Sequence, residues 1–398
     1  MTCLTLQPFS LKHNIMFKFL SSLKFLTRRS IEAVVFLIIF FGIFGMLGHR
    51  MGMANMMNTL MSTAFRLLTD TVFYIMGITV LTGALSKLLI EFGVIRLLEV
   101  ILKPLMRPLY NLPGVAALGG LLTFLSDNPA IISMAQNRDF SRYYKKYQLI
   151  SLTNFGTAFG MGFIVIIFMA SQGFGMPALV GLFGSFMGSV VSTRLMQRSI
   201  LKKHPELANE VEGEGDEQKI SFKSEQTLFL RVLNSLLDGG KSGVELGLAI
   251  IPGVLVISTF VMLITFGPSA SGEYTGAAYE GIALLPYLAD KVSIVFEWLF
   301  GFHNPELVAF PITALGAVGA ALGLVPRFVS EGIVDGNAIA VFTAMGMCWS
   351  GYLSTHTAML DSLGYRNLTS KAIVAHTIGG LCAGIAAHFA FLLVSMIA

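Results

Sequence analysis

Seven apolar stretches along the chain, 30–48, 72–91, 148–170, 177–195, 244–266, 337–359 and 372–397, approach or exceed the length that crosses a bilayer as a helix. No run alternates apolar and polar residues in the manner of a membrane barrel. In lipid that leaves helices, because every backbone polar group must find its partner within the chain. Two further apolar stretches, 112–137 and 305–326, read differently. Pro113 to Leu125 supplies thirteen residues before Ser126-Asp127-Asn128-Pro129 interrupts it. At 1.5 Å per residue a helix of that length rises only about 20 Å, short of the ~30 Å hydrocarbon core. Proline removes a helical hydrogen bond and disfavours helix in the residue before it. The segment resumes at Ala130 and ends in Arg138, Arg142, Lys145 and Lys146. A re-entrant hairpin with both ends on one side fits this pattern. The expected architecture is an all-α polytopic membrane protein of about seven transmembrane helices plus two re-entrant hairpins.

An amphipathic stretch precedes each hairpin. In 93–110 the charged positions Arg96, Glu99, Lys103 and Arg107 recur at spacings that place them on one helical face. In 284–301 the polar positions Asp290, Ser293 and Glu297 do the same. Both stretches are expected to lie at an interface, with Pro104 and Pro108 bending the first. Other features recur in the same order. Gly77-Ile-Thr-Val-Leu81 and Gly253-Val-Leu-Val-Ile257 sit in comparable helices that end in Phe92-Gly93 and Phe266-Gly267. Asn111-Leu-Pro113 precedes one hairpin and His303-Asn-Pro305 the other. Thr153-Asn-Phe-Gly156 corresponds to Thr343-Ala-Met-Gly346 in the helix that follows. The order predicts an internal repeat, with 268–283 inserted in the second copy.

Charge fixes the expected orientation. With the N-terminus in the cytoplasm and the hairpins returning to their own sides, only Arg50, Arg66, Lys291 and Arg327 of the 27 Lys and Arg lie outside, as the positive-inside rule requires. Making 112–137 cross would send four basic residues outward. Helix 72–91 then runs inward and 244–266 outward, so the repeats are inverted. The expected divisions are a cytoplasmic segment 1–29, a first transmembrane helix and outer connection 30–71, repeat 1 over 72–200, an acidic linker and amphipathic segment 201–243, and repeat 2 over 244–398. The linker run 204–226 carries Glu206, Glu210, Glu212, Glu214, Asp216 and Glu217 and reads as solvated, disordered chain. No small-residue cleavage site follows the apolar run 31–48, and Met16 is an alternative start. Localisation in a bacterial inner membrane is expected.

Mean hydropathy is +0.73, and 13% of residues are charged, far below the ~25% of soluble proteins. Cys3, Cys348 and Cys382 form no CxxC pair, which excludes a disulfide framework or haem motif. No P-loop ending and no Ser/His/Asp or HExxH constellation occurs, so neither an ATP-driven pump nor an enzyme is expected.

The Leu112-Pro-Gly-Val-Ala-Ala-Leu118 run, the Ser126–Pro129 tip and the basic, Tyr-rich Arg138–Tyr147 segment leading into Gln148–Gly160 resemble the nucleoside-recognition Gate-domain membrane proteins of the YjiH-like type. The resemblance covers most of residues 70–397 as two Gate-like repeats. Such repeats occur in concentrative nucleoside transporters, ferrous iron transporters and spore maturation proteins, so the resemblance implies transport or solute recognition without naming the solute. The second hairpin, around 316–323, lacks the acid and the Asn of the first.

Asp127 is the leading candidate site residue. A carboxylate in the membrane costs about 2.5–3.5 kcal/mol on insertion scales, so it faces protein, ion or water. With Ser126, Asn128 and the carbonyls of a broken helix it would bind a coupling ion or a solute group; alternatively it caps the helix after Pro129. Asn154 and Thr157, one turn apart in the next helix, would complete the pocket or act as interhelical glue. Thr343, Ser350, Ser354 and His356 are the candidates in the second half. Ser350 and Ser354 share a face by spacing, and His356 is either a proton or solute contact or an interfacial residue at a helix end. Cys348 and His356 make a thin metal signal with no third ligand, so no metal is expected. Glu32 and Glu245 read as acids at helix starts, and Arg231 and Lys241 as interfacial anchors. The reading is a secondary transporter of a small polar solute, nucleoside-like or ionic, with Na+ or H+ as the coupling ion and alternating access at the hairpin tips. The alternative is a non-transporting assembly or partner protein of the spore-maturation type. Expected partners are the lipid bilayer and a small-molecule solute; a homodimer is compatible, and nucleic acid is not expected.

Overall fold

The computed structural model describes residues 28–211 and 227–397. The cytoplasmic segment before residue 28 and most of the acidic linker, 212–226, lie outside the described residues. Apart from one antiparallel bridge between Lys145 and Val211, the described secondary structure is helical. Six helices are long and apolar enough to cross a membrane, and the chain is a multi-pass membrane protein.

The main helices run in order as follows. Helix α1 is Arg28–Met51, and α2 is Met53–Glu91, with a π turn at Leu67–Val72. Helix α3, Val94–Leu105, passes through a second π turn, Met106–Tyr110. Helices α4 (Ala116–Leu125) and α5 (Pro129–Gln136) form the first hairpin. Helices α6 (Lys146–Thr157) and α7 (Gly162–Ser171) form one broken span, and α8 is Gly175–Lys203. The second half opens with α9, Leu228–Thr265, which has a π turn at Val254–Ser258. Short α10 (Leu284–Asp290) and α11 (Ser293–Phe300) follow. The second hairpin comprises α12 (Ala309–Gly316), α13 (Val318–Leu322) and α14 (Val325–Ser330). A second broken span is α15 (Gly336–Cys348) and α16 (Ser354–Ser362), before the final α17, Thr369–Ile397. Long helix, amphipathic helix, hairpin, broken span and long helix thus occur twice in the same order.

Three expectations on element boundaries change. The span expected at 337–359 is two shorter helices separated at 349–353. The outer connection before residue 72 is helical, because Met56, Thr59 and Thr63 give Met53–Arg66 a buried face. Helix α9 starts at Leu228, so Glu245 is an exposed residue well inside a helix and not an acid in its first turn. At 38 residues that helix is roughly 57 Å long, more than the ~30 Å core, and its first turns extend beyond it.

Close glycine packing joins the long helices in pairs. Gly239, Gly243 and Gly247 of α9 lie four residues apart, and a Cβ on Gly243 would lie 2.5 Å from the Val80 Cα of α2. Thr79 Oγ1 donates to Gly243 O at 2.7 Å across this crossing. Small residues let backbones approach where lipid supplies no hydrophobic drive. Gly184 and Gly188 of α8 serve likewise against Ala383 and Gly379 of α17. At the end of α2, Arg231 Nε donates to Glu91 Oε1 at 2.7 Å and its Nη2 to Glu91 O at 3.2 Å. Both side chains are about a quarter exposed, so the pair is modest. Arg231→Ala is expected to cost about 1 kcal/mol, read as a fall of about 1 °C in the thermal midpoint of detergent-solubilised protein.

The inserted loop 268–283 is anchored to this frame. The buried Glu280 carboxylate accepts from Thr275 N, Thr275 Oγ1 and Gly276 N at 2.6–3.2 Å. Asn55 Nδ2 donates to Tyr274 O at 2.7 Å, and Tyr279 N to Thr63 Oγ1 at 2.8 Å. The start of the linker is packed as well, against the expectation of disorder from 204 onward. Leu207 is buried with Tyr147, Ile150 and Met196, and Lys146 N donates to Glu210 O at 2.9 Å.

Candidate functional site

Two helix breaks and one hairpin tip converge. The first break, between α6 and α7, places Met161 in the left-handed region at φ 54°. The second, between α15 and α16, uses Gly351 at φ 64°, a conformation glycine adopts without a Cβ penalty. Each break frees a carbonyl, and an unpaired carbonyl in a membrane interior costs several kcal/mol. In each case the next long helix supplies the donor. Ser185 Oγ of α8 donates to Ala158 O at 2.7 Å. The His376 Nε2 of α17 donates to Cys348 O. His376 Nδ1 is then the acceptor for Ser192 Oγ–H at 2.8 Å, which fixes the tautomer.

The tip of the first hairpin sits between the breaks. Asn128 is buried, and its Nδ2 donates to Ser350 Oγ at 3.1 Å and to Asp127 Oδ1 at 3.0 Å. Gly160 and Gly351 are its two walls: a Cβ on Gly160 would lie 2.6 Å from Asn128 Cγ, and one on Gly351 3.1 Å from it. No larger residue fits at either position without displacing the amide. Asn128 Oδ1 is buried with no hydrogen-bond partner. Flipping the amide would pair this oxygen with Ser350 but set it against the Asp127 carboxylate, so the carboxylate fixes the orientation. One open carbonyl oxygen and one carboxylate therefore share the tip, an arrangement that suits a cation or a hydrogen-bond donor.

The other candidates from the sequence divide. Ser126 is at the tip, but its Oγ is used by its own helix, donating to Leu122 O at 2.6 Å. Asp127 does not cap α5, for the N-cap residue is Asn128 and it makes no side-chain cap. Ser350 faces the tip, whereas Ser354 is exposed; the break destroys the helical register that would have put them on one face. Asn154 points away from the tip, donating to Ser192 Oγ and Ala372 O, both at 2.9 Å. Thr157 and Thr343 are buried and bond back to Thr153 O and Ile339 O within their own helices. His356 is fully buried, not interfacial. Its ring lies 4.5 Å from that of His376, and neither of its nitrogens has a well-formed hydrogen bond. Sequence reading passed over His376, Ser192 and Gly351. His376 carried a usable signal, since an ionisable residue inside an apolar span marks a buried interaction.

The second hairpin offers packing instead of polar groups. Its tip residue Ala317 is extended, and Ser258 Oγ donates to Ala320 O at 2.8 Å. Phe310 stacks on Phe342 with centroids 4.2 Å apart.

Residues 72–186 match the family model Gate, described as nucleoside recognition. That segment contains the first hairpin and the first break. No curated protein matches the chain in sequence. Solved structures of CNTnw, a concentrative nucleoside transporter, are similar in fold. An inward-facing substrate-bound state superposes with a TM-score of 0.53 at 13% identity, covering 79% of this chain and 74% of that one. A double variant in an outward-facing state gives 0.53 at 15% identity, covering 81% and 76%. Another double variant in an outward-facing state gives 0.51 at 14% identity, again covering 81% and 76%. The chain is thus a multi-pass membrane protein with a Gate segment over residues 72–186, in the fold of the concentrative nucleoside transporters.

Proposed function

We propose that the protein is a secondary transporter of a small polar solute of the nucleoside class, coupled to Na+ or H+. The observation that carries this reading is Asn128, held between two helix breaks from opposite halves of the chain. Broken helices turn backbone dipoles and unsatisfied oxygens toward a cavity instead of toward lipid. In the proposed mechanism the Asp127 carboxylate and Asn128 Oδ1 take the coupling ion. Ser350 and the second break are held to the same tip by the Asn128 amide, and the solute binds beside the ion. Movement of the halves relative to each other then alternates access. The Gate match and the transporter fold support this reading.

The test is uptake of labelled nucleosides into proteoliposomes under an imposed Na+ or pH gradient. Asp127→Asn keeps the shape of the tip and removes its charge. It is expected to retain solute exchange at zero gradient and to lose gradient-driven accumulation by at least tenfold. Accumulation at the wild-type level would remove the carboxylate from the coupling step.

A further inference from the structure

An apolar crevice of about 390 Å³ lies in the first half, between α3, α4, α6 and α8. Met106, Leu121, Phe155, Phe159, Leu179 and Phe183 are among its walls. Its one polar side chain is Tyr110, whose hydroxyl is already held by Ser189 Oγ at 2.5 Å. Water has no partner there, and an apolar cavity without polar partners stays dry. The crevice is open on the side where Leu179 and Phe183 of α8 are about half exposed. In a membrane span that side is hydrocarbon, so the crevice admits an acyl chain.

A second feature says which lipid. The crevice residues Leu102, Met106 and Tyr110 follow one another at four-residue spacing along α3 and its π turn. Lys103 and Arg107 come one position later, about 100° round the same helix, and both are exposed. The Lys103 stem runs over Gly114 at the start of the first hairpin. Amphipathic helices with cations on the polar face lie at the headgroup level, and each cation there favours an anionic headgroup about fivefold. We infer that this crevice is a phospholipid site, with an acyl chain among Phe155, Phe159 and Phe183 and an anionic headgroup at Lys103 and Arg107. A chain seated there touches a leg of the first hairpin and the first broken span together, so its occupancy bears on the element that carries Asp127 and Asn128.

The test uses delipidated full-length protein in detergent, with lipid retention read by native mass spectrometry and thermal midpoints by scanning fluorimetry. Phosphatidylglycerol and phosphatidylcholine of matched chains are compared. Wild type is expected to reach half-maximal stabilisation at least tenfold lower in phosphatidylglycerol. Lys103→Gln with Arg107→Gln should bring that ratio to about one while both lipids still bind. Leu121→Trp with Leu179→Trp fills the crevice and should abolish retention of either lipid. A wild-type ratio near one, or a ratio unchanged in the double glutamine variant, overturns the proposal, as does lipid retained by the double tryptophan variant. Glycerol phosphate is expected to give no shift; an equal shift would mean that the acyl chain is irrelevant and would also overturn it. Should the tryptophan variant not fold, the ratio in the glutamine variant decides alone.

Discussion

Asn128→Ala is expected to lower the initial rate of gradient-driven uptake at least a hundredfold while leaving the protein folded. Three things vanish with the amide. Ser350 Oγ loses its bond to the first hairpin, Asp127 Oδ1 loses its neighbouring donor, and the open Oδ1 oxygen is gone. A hundredfold is about 2.7 kcal/mol at 1.36 kcal/mol per decade, within the range for removing a buried amide that makes charge-assisted and neutral bonds. The fold itself loses little, since the walls at Gly160 and Gly351 are backbone and the void is small. Asn128→Asp separates shape from chemistry. It preserves volume but replaces the donor to Asp127 with a second acceptor and breaks the bond to Ser350 in its present form. Its uptake is expected to stay below a tenth of wild type at neutral pH. Rates in proteoliposomes, normalised to folded protein by size-exclusion chromatography, decide the matter. An alanine variant above a third of the wild-type rate would place the ion or solute elsewhere.

Sequence reading located the first tip because proline and aspartate inside an apolar run are strong local signals. It found the paired amphipathic helices because charge at helical spacing is equally local. The second break was missed for the opposite reason. A single Gly351 inside an otherwise helical pattern is a weak breaker, and the donor that satisfies the freed carbonyl, His376 to Cys348 O, comes from a distant helix. The same limit explains Asn154. Its type and place in the span were read correctly, but its direction depends on α8 and α17, which no local pattern encodes. The early start of α9 was hidden by Arg231, Asp238 and Lys241. Those charges argued against a membrane helix, whereas the helix extends past the hydrocarbon and places Arg231 on the end of α2.

His376→Ala is expected to be the most destabilising single change in the described polar network, by about 3 kcal/mol or more. The variant orphans the buried Cys348 carbonyl, worth roughly 1–3 kcal/mol when left unpaired, and takes the acceptor from the Ser192 O–H, which keeps only the donation from Asn154 Nδ2. It also leaves a cavity beside His356 and Trp349, whose Nε1 donates to His376 O at 3.2 Å. The expected reading is a thermal midpoint at least about 3 °C below wild type in detergent. His376→Gln should recover part of the loss, because an amide N–H can reach the freed carbonyl. Ser185→Ala provides the comparison at the other break. It orphans only Ala158 O, so its midpoint should fall by less than half as much. That ordering follows from one physical claim: a span can be broken in hydrocarbon only if the neighbouring long helix returns a donor to the exposed carbonyl. If His376→Ala melts within a degree or two of wild type, water or another side chain satisfies Cys348 O, and the break does not depend on α17. If Ser185→Ala proves the costlier change, the first break carries more of the tension between the halves, and the ion would act mainly through α6 and α7.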